Sequence, residues 1–341
     1  MGCLKAVVLN GPGGDYCYSE KYSFPEAPEG WAIVKVAYCG ICGSDIPRLA
    51  SLGSYHHPMV LGHEFSGVVE VPAKNGKLKN GDKVAVLPII PCGCCEGCII
   101  DEPFHCKQYQ FIGSRNDGGM AEYCAVPESN LFLLPESTGL LEGSFIEPML
   151  VGLNAVRRSG FSAGQSAIVF GAGPIGLLLA GWLRVLGASR VVVSDLREFS
   201  INKARECGFN DIFNPLTDEL AQLGRFDHAF EAAGSSNALQ TAIELLGIKG
   251  TLTIVGRDVK DTVIPVAVFE KLMRKEVTLN GCWGYKIKGE EDMLRKTLSE
   301  KSINLSVLCS HKVSLNDAPR MIDDMINKRT EYCKVVIETG I

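Results

Sequence analysis

The chain has 341 residues, 46% of them hydrophobic and 21% charged, an ordinary globular composition with enough length for two domains. Its formal net charge is −5 and no run of lysine or arginine appears, so neither a nucleic-acid footprint nor a polybasic membrane patch is indicated, and a small molecule is the expected partner. No apolar stretch approaches ~18 residues and no signal peptide is legible at the start, which predicts a cytoplasmic protein whose 14 cysteines stay reduced for metal binding or packing.

Along the first part of the chain, to about Ile146, short β-runs alternate with glycine and proline: residues 6–9, 32–36, 67–71 and 83–86. Such a pattern predicts a barrel-like or sandwich β domain whose function lies in its loops. From about Val151 longer β and α segments alternate. Strands are predicted at 166–170, 190–194, near Asp211, at 226–230 and at 250–255, with helices at 174–186, 199–207 and 237–246. Alternating βα units with apolar strands predict a parallel, doubly wound sheet. Residues 279–283 read as an edge strand or a buried terminal one. The last stretch ends in a strand at 333–338 and is expected to return to the first domain. The predicted division is therefore 1–151 with 286–341, and 152–285 between them.

Cys92, Cys95, Cys98 and Cys106 are separated by two, two and seven residues. One short loop at that spacing wraps four thiolates around a tetrahedral zinc ion, leaves no coordination site open for substrate, and so is structural. A merely reduced loop or an iron–sulfur cluster is the alternative. Cys94 is surplus to the pattern. Further on, Gly171-Ala172-Gly173-Pro174-Ile175-Gly176 follows a predicted strand and opens a predicted helix. Gly171 suits the tight turn, Gly173 the approach of a pyrophosphate and Gly176 close helix–strand packing, with the anion at the helix N-terminus. Asp195, 19 residues past Gly176, is placed for the adenosine ribose and favours NAD over NADP; Arg197 softens that preference. Residues 230–234 and 254–256 are expected to line the cofactor cleft.

Cys42 and His63, each framed by glycine, offer a thiolate and an imidazole, two ligands of a catalytic zinc that needs a third ligand and an open position. Glu64 and Glu147 are the acidic candidates. Taken singly, each has a bland alternative as a core, loop or capping residue, and the argument rests on their combination.

Cys42-Gly43-Ser44-Asp45, Gly62-His63-Glu64, the four-cysteine lobe and the Gly171–Gly176 motif occur in the order seen in zinc-dependent medium-chain alcohol and polyol dehydrogenases. The resemblance covers essentially the whole chain. Residues 42–48, 61–67 and 111–119, followed by Ala121-Glu122-Tyr123, are most similar to the branch acting on polyol phosphates such as galactitol 1-phosphate. It implies a GroES-like β-barrel catalytic domain, a Rossmann domain, NAD, and two zinc ions per subunit in a homodimer or homotetramer. Cys42, His63 and Glu147 match the catalytic zinc ligands, and Glu64 matches a carboxylate beside the metal that exchanges with water or substrate. Ser44 matches the hydroxyl that begins the proton path. Pro47 stands where many relatives have histidine, so that exit for the proton is missing. Ala233, Val255 and Gly256 fall among the cofactor contacts, and Arg48 and Arg115 are the cations expected to meet a phosphate. The expected reaction oxidises a secondary alcohol to a ketone. A free polyol, sugar or L-threonine substrate competes with the polyol phosphate, as does an inactive dinucleotide-binding or zinc-sensing protein.

Overall fold

The computed structural model describes residues 2–257 and 261–340. They form two compact units, one comprising Met1–Glu147 with Cys309–Ile341 and the other Pro148–Leu308. The first unit is discontinuous, but its return begins at Cys309, later than the expected 286. Residues 286–308 belong with the second unit because their contacts hold them there: Arg157 grips Glu290 through two hydrogen bonds of 2.7 and 3.0 Å, and Ile303 packs over Gly181. The other division falls inside the helix Ile146–Arg158, a few residues before the expected 151.

In the first unit a mixed sheet runs in the order Leu131–Leu133, Lys83–Val86, Glu64–Val71, Trp31–Gly40, Lys334–Glu338 and Cys309–Ser314, with Tyr123–Pro127 also paired to Trp31–Gly40. A second sheet places Cys3–Gly11 between Asp15–Ser23 and Met59–Val60. Buried Val34, Val36, Phe65, Val69, Val84, Val335 and Ile337 share one core with Ile322 and Met325 of the helix Ala318–Ile326.

The second unit carries a parallel sheet in the order Ile212–Phe213, Arg190–Ser194, Ser166–Phe170, Phe226–Glu231, Leu246–Ile254 and Thr278–Gly281. Numbered along the chain, these six described strands run 3-2-1-4-5-6, the Rossmann order, which reverses direction beside Ser166–Phe170. The β-branched runs Ala167-Ile168-Val169 and Val191-Val192-Val193 suit strands covered on both faces. The helix Pro174–Val185 starts with proline, whose missing N–H costs nothing at that position, and stays uncharged until Arg184. Its residues from Gly176 to Leu183 are all buried, and Trp182 Nε1–H donates to the Met149 carbonyl at 2.8 Å.

Candidate metal and dinucleotide sites

Sheet register assembles the first site. Trp31–Gly40 pairs antiparallel with Glu64–Val71 so that Gly40 faces Glu64, and on its other side Gly40 faces Val336. Residues 42, 63, 64 and 334, distant in sequence, are thereby brought together. Gly40 also makes the room: a Cβ there would stand 2.6 Å from Glu64 Oε2. Cys42 Sγ, a His63 ring nitrogen and a Glu64 oxygen all lie within 4.8 Å of one another. A soft sulfur, an imidazole and a carboxylate form a three-ligand set for zinc with a fourth position left over.

Two residues not assigned a role from sequence complete this cluster. Buried Asp45 accepts the Cys42 N–H at 3.1 Å through one oxygen and places the other 3.4 Å from His63 Nδ1. It thus ties the backbone at Cys42 and sets a negative charge beside the imidazole, although His63 Nδ1 makes no hydrogen bond. Lys334, also buried, donates to Glu64 Oε2 at 2.5 Å, while Glu64 Oε1 has no hydrogen-bond partner. Neither role was readable from spacing, since Lys334 lies 270 positions from its partner.

The electrostatics of the pocket demand positive charge. Burial works against the His63 imidazolium, but Asp45 and Cys42 outweigh it and hold its pKa well above the ordinary histidine range. Burial likewise opposes the Lys334 charge, yet Glu64, Cys42 and Glu147 hold it above its usual value. A divalent cation answers the same demand, so the residues fit the metal. Glu147, expected as the third ligand, is outside the three-donor set. It heads the helix Ile146–Arg158, and burial, against the opposing charge of His63, pushes its carboxyl up to about 7. Glu64, the first residue of the strand facing Gly40, is the carboxylate that lies within 4.8 Å of the Cys42 and His63 donors. Ser44 is exposed and its hydroxyl has no hydrogen-bond partner among the described residues. Pro47 closes the short helix Asp45–Pro47.

In the cysteine lobe the ligand atoms of Cys92, Cys95, Cys98 and Cys106 lie within 4.8 Å of one another. Cys92 and Cys98 sulfurs are 3.8 Å apart and those of Cys95 and Cys98 3.6 Å, matching the ~3.8 Å edge of a tetrahedron with Zn–S bonds of about 2.3 Å. Backbone N–H groups of Cys92 and Gln108 point at Cys106 Sγ, at 3.3 and 3.4 Å. Hydrogen bonds from the backbone lower the Cys92 thiol to about 6. The set fits a closed structural zinc. Cys94, exposed with its sulfur 3.7 Å from that of Cys92, is outside it.

In the second unit Gly171 has φ +102° and Gly176 packs so closely that a Cβ would collide with the Gly171 carbonyl oxygen. The space before Gly173 is open, and Gly173, Pro174 and Ile175 begin the helix that would receive a pyrophosphate. Asp195 accepts the Ala172 and Arg197 N–H groups, each at 2.9 Å, which anchors its carboxylate at this loop. Glu231, within the stretch 230–234 expected to line the cofactor cleft, ties the loops there together through hydrogen bonds. Its carboxylate accepts from Ala233 and Ser235 N–H, and its carbonyl accepts from Val255 and Gly256 N–H.

Arg48 and Arg115 converge on one ring: their guanidinium carbons lie 5.1 and 4.2 Å from the Tyr55 centroid. Arg115 is also 4.3 Å from the Tyr109 centroid. Tyr109 meets Phe111 edge-on, and Phe111 meets the His63 ring at 5.5 Å, so aromatic contacts connect the metal cluster to the two arginines.

Two family models match the chain: the alcohol dehydrogenase GroES-like domain over residues 28–136 and the zinc-binding dehydrogenase domain over 174–300. The chain is 34% identical to galactitol 1-phosphate 5-dehydrogenase of Escherichia coli K12, over 86% of this chain and 88% of that protein. The chain belongs to the zinc-dependent alcohol dehydrogenase family. As a zinc-dependent alcohol dehydrogenase it is an oxidoreductase, and its GroES-like and Rossmann-type domains agree with the expectation from sequence. Another member of the family, sorbitol dehydrogenase 1 of Saccharomyces cerevisiae, is 32% identical over 87% of this chain and 88% of its own. Among solved structures, galactitol-1-phosphate dehydrogenase from Escherichia coli superposes with a TM-score of 0.90 at 31% identity, covering 98% of this chain and 100% of that one.

Proposed function

We propose that this chain oxidises a secondary alcohol of a polyol phosphate of the galactitol 1-phosphate type to the ketose phosphate, with NAD as hydride acceptor. The observation that carries the reading is the Cys42–His63–Glu64 donor set, joined through Phe111 and Tyr109 to two arginines that have no carboxylate partner among the described residues. When bound, zinc lowers the pKa of the substrate hydroxyl and the nicotinamide accepts hydride from the carbinol carbon.

The chain supplies the rest. Cys42, His63 and Glu64 would hold the metal, Asp45 ties the Cys42 backbone and sets its charge beside His63, and Lys334 neutralises the buried charge of Glu64. Ser44 Oγ, without another hydrogen bond, accepts the hydroxyl proton and, being exposed, passes it to water or the cofactor ribose in place of the histidine that Pro47 excludes. Gly171, Gly173 and Gly176 admit the pyrophosphate, and Asp195 meets the adenosine ribose, favouring NAD. Arg48 and Arg115 meet the phosphate of the substrate.

The test is NADH formation by zinc-loaded protein on galactitol 1-phosphate, galactitol, sorbitol and L-threonine side by side. Preference for the phosphate ester is expected. Equal or better turnover of a free polyol or threonine overturns the substrate, and silence on all four with two zinc ions bound overturns the enzyme.

A further inference from the structure

Arg48 and Arg115 cannot be more than 9.3 Å apart at their guanidinium carbons, since both lie over the Tyr55 ring. A phosphate hydrogen-bonded to two guanidiniums holds each carbon roughly 4 Å from phosphorus, a separation of up to about 8 Å, so even at that limit the pair stands within about 1.5 Å of a bridging span. Two like charges brought to one ring repel, and the usual compensation is missing: neither arginine forms an ion pair with a carboxylate among the described residues. Moreover, Arg115 Nε is buried and has no hydrogen-bond partner. Its guanidinium instead lies against the rings of both Tyr55 and Tyr109, at 4.2 and 4.3 Å, and Arg115 Nη2 donates to the Tyr55 hydroxyl at 3.4 Å. The backbone is tied as well, with His56 Nε2 bound to the Arg115 carbonyl oxygen at 3.1 Å.

We propose that Tyr55 is a positioning residue for specificity, whose ring sets Arg48 and Arg115 as one pair that receives a phosphate monoester dianion. It rests on the polyol-phosphate reading above and adds the part that makes the arginines selective. Loose arginines attract any anion. A stacked, pre-oriented pair presents its N–H groups to the tetrahedral oxygens of phosphate with little left to order on binding. Tyr55 is 58% exposed, so its replacement leaves the core intact.

The experiment compares the zinc-loaded wild type with Tyr55→Leu, Tyr55→Phe and Arg115→Ala. It measures kcat and KM for galactitol 1-phosphate and galactitol, and inhibition of galactitol oxidation by inorganic phosphate. Tyr55→Leu is expected to lower the kcat/KM ratio of phosphorylated over free substrate by about 10-fold, mainly through KM, and to weaken phosphate inhibition by a similar factor. Tyr55→Phe keeps the ring and should stay within about twofold of wild type on both readouts. If Tyr55→Leu matches wild type while Arg115→Ala loses the preference, the arginines act without Tyr55 and this proposal alone fails. Equal losses on both substrates would make Tyr55 a general structural residue, again against it. A wild type indifferent to phosphorylation and to inorganic phosphate defeats the substrate reading, and this proposal with it.

Discussion

Replacing Lys334 by methionine removes the one buried cation bonded to Glu64. The pair is almost fully enclosed, with side chains 5% and 1% exposed and nitrogen and oxygen 2.5 Å apart. Surface rules do not apply to such a pair: leaving its carboxylate uncompensated in the interior costs about 3–5 kcal/mol. For a unit of this size each kcal/mol moves the melting temperature by about 2–4 °C, so the zinc-free first unit should melt roughly 6–20 °C lower than wild type. Zinc changes the sum. An ion held by Cys42, His63 and Glu64 compensates the same carboxylate, so with saturating zinc at least half of the loss should disappear. Calorimetric unfolding of both proteins, with chelator and with zinc, measures the two differences. A loss below about 1 kcal/mol without zinc, or an equal loss with and without it, would show that Lys334 is not the counter-charge of Glu64.

Cys42→Ser should reduce kcat by at least about 1,000-fold, the loss of several kcal/mol of charge stabilisation, while NAD affinity stays within about twofold; fluorescence titration and steady-state rates separate the two. Cys98→Ser should lower the bound zinc by one ion per chain, whereas Cys94→Ser should leave it unchanged, because Cys94 lies outside the four-donor set; metal analysis of the purified variants measures both. His228 gives a pH dependence. Burial lowers its pKa, against the opposing charge of Asp227, so the unfolded chain takes up a proton more readily than the folded one. Its contribution is therefore complete above the ordinary value near 6.5 and declines as pH falls below it. Denaturant titrations of His228→Gln between about pH 5 and 7 should show a shallower slope with pH than wild type; an unchanged slope would remove His228 as a source.

Where local pattern and final environment agree, the sequence is readable. The strands Ser166–Phe170, Arg190–Ser194 and Lys83–Val86 fall where their apolar and β-branched runs predict, and Gly171, Gly173 and Gly176 are placed by the same βα turn that the motif requires. The four sulfurs of the lobe are also local, since one short loop carries them all. The rest of the metal cluster depends on cross-strand register. Nothing near Lys334 says that its strand lies beside Gly40, and nothing in Cys42-Gly43-Ser44-Asp45 says that Asp45 turns back toward both Cys42 and His63. That Glu64 stands with Cys42 and His63 has the same origin, for it is decided by which backbone approaches Gly40. The return to the first unit was misplaced because a bond between Arg157 and Glu290, 133 positions apart, carries no mark in either neighbourhood.

The strand Lys334–Glu338 lies inside its sheet, between Trp31–Gly40 and Cys309–Ser314, although it comes last in the chain. Every strand of the Rossmann unit precedes it in the sequence, so an emerging chain can complete that unit while Trp31–Gly40 still has an open edge at residues 38–40 and Glu64 lacks Lys334. A chain cut before this strand could finish one unit but not the other, with a sheet edge available to other chains. The donors Cys42, His63 and Glu64 reach their native charge environment only when this strand docks, whereas the four cysteines of the lobe need none of it.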